Sequence, residues 1–314
     1  MVQHLTIPKQ EENGLTCYHH HGVSKSNSNK DMTSTLIDEI RCIYYQLSQL
    51  KTLLPSDHVN ALFTKLVTIC TFQYNTEIVK AVLEDVCIIP LIPNLRAIAS
   101  QGEYYLELTW AKELVYQTKN HKDTKPELDR FVYYQNYVDL VRLELHALQS
   151  VGANLNHSIV FIGSGPLPLS SILMYEMLST ATTLKEHTLT IHNLDRDQES
   201  ISVSNILLEK LGIHHGVHQH TIDAAEYLDY TSSDVVILGA LVGQDVKEKM
   251  EFLTNISSKM KQGSFIMIRS SHSLRKLLYP SIEPYQVNKC GFETTIVLHP
   301  FNDVVNSILI AKKI

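Results

Sequence analysis

Tryptophan is almost missing from this chain, with one residue in 314, and cysteine is scarce and odd in number: Cys17, Cys42, Cys70, Cys87 and Cys290. Widely spaced thiols of that kind exclude a disulfide framework. Without a CxxC or HExxH pattern they also give no support to a zinc site, so no metal ligands are expected. Free thiols in a reducing, cytoplasmic setting fit best. Long basic runs are missing too. The 27 Lys and Arg are outnumbered by 33 Asp and Glu, and a net charge of -6 leaves no patch to track a nucleic-acid backbone. Apolar runs such as Ser158 to Gly163 and Val235 to Gly243 are too short to span a bilayer. Met1 to Glu12 carries no apolar core ahead of a cleavage site, so no signal peptide is expected. Small molecules remain as the expected partners, with neither membrane nor nucleic acid.

What is present is ample core material, 44% apolar residues, organised in two different patterns. Residues 1–31 are polar and aperiodic, which predicts a disordered tail; its His19-His20-His21 triplet is a weak ligand set. From Thr33, apolar residues recur at helical steps through Leu36, Ile40, Ile43 and Leu47. A second helix should start at Ser56 or Asp57 and run to Cys70, and a third should cover 75–84. Beyond Pro90 and Pro93 a long helix is expected over Leu95 to Gln117. A polar loop follows from Lys119 to Glu127, then a helix from Tyr133 to Leu148. Residues 32–152 therefore read as a helical domain.

From residue 153 the pattern changes. Short apolar strands are expected at Ser158–Ile162, Thr188–Leu194, His218–Ile222, Val235–Leu238 and Ser264–Ile268, with helices such as Gln198–Leu211 and Asp245–Lys261 between them. Strands alternating with helices of that length predict βαβ units, an α/β fold with a doubly wound, Rossmann-like sheet over 153–314. The last two strands, Thr294–Leu298 and Ser307–Ala311, are too close for a parallel crossover and predict a terminal antiparallel hairpin. Asn306 is expected to close a turn there.

The first strand runs into Gly163-Ser164-Gly165-Pro166-Leu167-Pro168. Glycines at this point let backbone approach a ligand, and the helix that follows offers unpaired N–H groups. The dinucleotide GxGxxG fingerprint is absent, because Pro168 stands at its third glycine. Asp195 ends the second strand, where an acid accepts ribose hydroxyls, and Asp223 ends the third, within reach of an adenine amino group. Gly239-Ala240-Leu241-Val242-Gly243 is small and apolar, and Ala240 suits a floor beneath the nucleoside. This set points to S-adenosylmethionine rather than a dinucleotide.

These residues resemble the nicotianamine synthase family of plants and fungi. The likeness rests on Phe161 to Pro168, Ala240 to Gly243, Arg269-Ser270-Ser271-His272 running to Tyr279-Pro280, His299-Pro300, and Asp303-Val304-Val305-Asn306-Ser307. It reaches the helical part through Phe131 to Leu140 and spans roughly residues 80–314. Val132 stands where plant members carry proline, and Ser271 where they carry alanine.

The resemblance implies unusual chemistry. Family members use S-adenosylmethionine as a substrate and transfer its 3-amino-3-carboxypropyl group to an amine, releasing 5'-methylthioadenosine. Three units condense and one closes into an azetidine ring, giving a metal chelator. It also implies an amine held by a glutamate and a tyrosine. Glu103 and Glu107 lie one helical turn apart, on one face. The resemblance places the glutamate at Glu107, with Glu103 beside it, and the tyrosine at Tyr133 or Tyr134, with Tyr137 in the same cluster. Arg269 and His272 follow the fifth strand as further candidates for the substrate's methionine end, and an interdomain ion pair is the alternative use of the arginine. Two other activities stay open: a single-transfer enzyme making an opine-type metallophore precursor, and a small-molecule methyltransferase.

Overall fold

A computed structural model describes residues 25–119, 121–181, 189–243 and 245–314. Helix α1 (Lys25–Ser48) buries the expected face, Leu36, Ile40, Ile43 and Leu47. It starts at Lys25, ahead of the tail boundary expected at residue 31; Cys17 and the histidine triplet lie outside the described residues. Ser56 caps α2 (Asp57–Thr71) by accepting from the Val59 amide, and Asn75 caps α3 (Thr76–Leu83) in the same way through Ile78. Helix α4 (Ile92–Gln117) takes Pro93 into its first turn, where the missing N–H costs nothing.

The expected polar loop is instead helix α5 (His121–Leu128), with Pro126 inside it. Its polar surface gives no apolar stripe to read. Side-chain contacts hold it: Lys125 pairs with Asp129 and Glu176, and Thr124 bonds Thr118. Helix α6 (Tyr134–Ser150) then packs Val141, Leu145 and Leu148 inward.

Strand β1 (Ser158–Ile162) opens the sheet and leads to α7 (Leu169–Ala181). Strand β2 (Thr190–Asp195), α8 (Gln198–Leu211), β3 (Val217–Thr221), β4 (Val235–Leu238), α9 (Val246–Lys259) and β5 (Phe265–Ser270) follow. A short α10 (Pro284–Asn288) precedes the closing strands β6 (Phe292–Leu298) and β7 (Ser307–Lys313). The seven strands lie in the order β3-β2-β1-β4-β5-β7-β6. The first five are parallel, β7 runs antiparallel to β5, and β6 and β7 form the antiparallel hairpin expected from their spacing. The chain order reverses between β1 and β4, the crevice where open α/β sheets bind ligands.

Alternate residues of the strands face two apolar layers. Ile159, Phe161, Ile191 and Ile237 join Leu114, Val141 and Leu148 of α4 and α6 in one cluster. Val160, Ile162, Val236 and Ile268 pack on the other face with Leu253 and Ile256 of α9. Helices from the first half thus share a core with the sheet. A third cluster joins α1 to α4 with Leu274, Leu277 and Leu278, from the segment after β5. That shared packing presses the helical half against the carboxyl ends of the strands.

Candidate active site

The glycine turn adopts the conformation its residues permit. Gly163 has φ 76° and Gly165 φ 66°, both in the left-handed region. A Cβ on Gly163 would fall 2.6 Å from Val242 Cγ2. The Gly165 amide donates to Asp195 Oδ2 at 2.9 Å, and the Asp197 amide donates to Asp195 Oδ1 at 3.0 Å. Asp195 therefore ties the turn to the end of β2. Asp197 caps α8 and accepts from Tyr104 of α4 at 2.9 Å, joining helix to sheet.

An open cavity with about 1940 Å³ of empty space lies over the strand ends. Gly163, Ser164, Gly165, Pro166, Asp195, Asp223, Ala240 and Arg269 all line it. Asp223 is exposed, and its carboxylate accepts from the Ala225 amide at 2.8 Å. The buried Lys249 ammonium donates to the Ala240 carbonyl at 3.1 Å and braces that wall. Ser164 Oγ is buried with no partner among the described residues. The arrangement fits a nucleoside: acids for hydroxyls and an amino group, and small residues for the ring.

A second cavity, with about 1240 Å³ of empty space and mostly apolar walls, opens between the helices. Glu103, Glu107, Tyr137 and Asn306 line both cavities and mark where they meet. Glu107 is 9% exposed, and its Oε1 accepts from the Tyr137 hydroxyl at 2.7 Å. Its other oxygen would lie 3.1 Å from a Cβ placed on Gly165, so the carboxylate touches the glycine turn. Glu103 accepts from Tyr279 at 2.6 Å. Burial, reinforced by Glu103, pushes the Glu107 carboxyl up to about 8, and burial raises Glu103 as well. Burial also holds the Tyr137 and Tyr279 phenols well above their ordinary value. Both tyrosines are therefore hydrogen-bond donors, and the carboxylates are the groups able to take a proton.

The expected tyrosines divide. Tyr133 lines the second cavity alone, and the Tyr134 hydroxyl accepts from Lys125 at 2.8 Å, away from both cavities. Tyr137, one turn further along α6, meets Glu107. Arg269 gives Nε and Nη2 to the two Glu144 oxygens at 2.7 and 3.0 Å, and Nη2 also reaches Ser170 Oγ at 2.7 Å. Its two-pronged bond is thus made to α6, the ion-pair alternative, while the residue still borders the cavity. His272 is outside both linings; it bonds Ser307 Oγ at 2.9 Å and stacks near His299. Tyr279 and Glu144 were not expected at the site. Tyr279 had one signal, its place in a family motif, whereas nothing in the spacing of Glu144 marks it.

Comparison with known proteins identifies the family. The family model described as "Nicotianamine synthase protein" matches residues 28–314. The chain belongs to the nicotianamine synthase family. It is accordingly an S-adenosylmethionine-dependent transferase of the nicotianamine synthase type. Nicotianamine synthase 3 of Arabidopsis thaliana is 34% identical over 281 residues, 88% of this chain and 83% of its own. The nicotianamine synthase of Solanum lycopersicum is 31% identical over 286 residues, covering 90% and 84%. A crystal structure of a glutamate-to-glutamine mutant of MtNAS in complex with S-adenosylmethionine superposes with a TM-score of 0.73 at 22% identity, covering 88% of this chain and 97% of that one. MtNAS in complex with MTA and tNA gives 0.71 at 20% identity, covering 95% and 100%. Both establish the fold: a helical half on a Rossmann-like domain that ends in a hairpin. No helix among the described residues is long and apolar enough to cross a membrane.

Proposed function

We propose that this family member is a nicotianamine synthase in the full sense. It transfers 3-amino-3-carboxypropyl groups from S-adenosylmethionine to an amine, condensing three units and closing one into an azetidine ring. One observation carries the reading: Glu107, hydrogen-bonded by Tyr137, stands against Gly165 where the nucleoside cavity opens into a second chamber. A chamber beyond the first cavity, lined by the buried Glu107 and the half-buried Glu103, fits a growing amine product.

In each step an ammonium enters between Glu103 and Glu107, and a carboxylate takes its proton. The nitrogen lone pair then attacks the γ carbon of the methionine chain. The γ carbon–sulfur bond breaks, and sulfur keeps the electron pair as the neutral thioether of 5'-methylthioadenosine. The sulfonium activates three carbons alike, so positioning selects the one attacked. Tyr137 fixes the Glu107 carboxylate, and Asp195 at the glycine turn fixes the nucleoside.

The two-part division belongs to the same proposal: 32–152 supplies the acceptor site and 153–314 the S-adenosylmethionine site. So does a cytoplasmic location, which the free thiols of Cys42, Cys70, Cys87 and Cys290 favour. Incubating the protein with S-adenosylmethionine alone and weighing the amine product tests the number of transfers. A product of three units supports the reading. A product holding a single unit, formed only when another amino acid is supplied, favours the opine-type enzyme.

A further inference from the structure

The second cavity is uneven in charge. Among the described residues that line it there is no lysine, arginine or histidine, while Glu103 and Glu107 supply two carboxylates. Both stand where it meets the first cavity. Away from them the walls are largely apolar: Val59, Phe63 and Val67 of α2, Leu106 of α4, and Val132 and Val305. Asn60, Thr64 and Asn136 are polar but uncharged, and Asn136 already gives its side-chain N–H to the Asp303 carbonyl at 3.1 Å. The cationic side chains that border either cavity, Arg196 and Arg269, both lie on the first.

Such a chamber selects for an amine and not for a carboxylate. An ammonium meets opposite charge at the junction. A carboxylate carried along the apolar walls would leave water without gaining a counter-ion, which is costly. Methylene groups gain from the same walls, because each one leaves water for apolar surroundings.

We infer that the enzyme has a second class of acceptor: primary amines with an apolar, uncharged body, of which straight-chain alkylamines are the simplest. This rests on the reading above for the transferred group and the proton acceptor. The alkylammonium gives a proton to a junction carboxylate, which later releases it to water. The nitrogen lone pair forms the bond to the γ carbon of S-adenosylmethionine. The γ carbon–sulfur bond breaks, and sulfur leaves with the electron pair in 5'-methylthioadenosine. The product is a secondary ammonium, the N-(3-amino-3-carboxypropyl) alkylamine.

The test gives the purified protein S-adenosylmethionine and, in turn, propylamine, butylamine, pentylamine, hexylamine and 6-aminohexanoate. The last matches hexylamine in length but ends in a carboxylate. Adducts are identified by mass, and their initial rates above a protein-free control give kcat/KM for each amine. That constant should rise about two- to fourfold per methylene. Hexylamine should exceed 6-aminohexanoate about tenfold or more. Thr64→Arg, at an exposed position of α2 on the chamber wall, adds the missing cation. It should narrow or reverse that preference and leave 5'-methylthioadenosine affinity, a property of the first cavity, unchanged. Equal use of all chain lengths, equal use of hexylamine and 6-aminohexanoate by the parent, or an unchanged preference in folded Thr64→Arg would each overturn the inference. Release of 5'-methylthioadenosine from S-adenosylmethionine alone, with no alkylamine adduct, would overturn the second acceptor class and leave the proposed reaction standing. S-adenosylhomocysteine with a methylated amine would overturn both.

Discussion

Glutamine at position 107 would keep the shape of the side chain and its contact with Tyr137 but could not take a proton. Transfer by Glu107→Gln should fall about 10²–10⁴-fold, the usual cost of losing a general base, with 5'-methylthioadenosine affinity unchanged. Glu103→Gln, measured beside it, should lose less, because Tyr279 holds Glu103 back from the turn. Full activity in the Glu107 variant would assign the proton to Glu103 or to the substrate. The raised Glu107 carboxyl adds a pH signature. In the parent, kcat/KM should climb with pH and level off above about 8, as the carboxyl ionises. The native state binds this proton more tightly than the unfolded chain. Its contribution to stability is therefore complete below the ordinary 4.5 and is lost as pH rises towards about 8. Glu107→Gln should gain Tm over the parent across that window. A constant Tm difference would mean an unshifted carboxyl.

Helix α4 carries both glutamates, and Gly102 sits between its apolar side and the second cavity. A Cβ there would lie 2.2 Å from Cζ of Phe63, so the ring of α2 rests directly on the helix backbone. Gly102→Ala should raise helix propensity yet lower both Tm and transfer, by driving Phe63 into the chamber. Adding Phe63→Ala should recover part of the loss. Simple addition of the two losses would show that ring and glycine are not coupled. At this scale the chain was legible where local signals act. Ser56 caps α2, Gly163 and Gly165 make the turn, and the spacing of the last strands gives the hairpin. Helix α5 was not legible, since ion pairs rather than an apolar stripe hold it. Nor were the partners of the glutamates: Tyr279 and Glu103 lie 176 residues apart, a contact no local period encodes. That Tyr137 bonds Glu107, and Tyr133 and Tyr134 do not, depends on the phase of α6, which its first turn leaves open.

Across the whole molecule, a buried ion pair joins the helical half to the sheet, Arg269 with Glu144, the arginine 6% and the glutamate 0% exposed. Removing one partner strands a charge, so Glu144→Ala should cost about 3–5 kcal/mol in denaturant unfolding. The double change Glu144→Leu with Arg269→Met should recover most of it. No recovery would mean that the arginine holds more than Glu144. The same packing sets the two cavities mouth to mouth, and the proposed chemistry follows from that. Its most direct test is S-adenosylmethionine labelled in the methyl group, given to the purified protein as sole substrate. Transfer of the aminocarboxypropyl unit leaves every label on the released nucleoside, as 5'-methylthioadenosine. Label appearing on an amine product, with S-adenosylhomocysteine as the nucleoside, would contradict it and identify a methyltransferase.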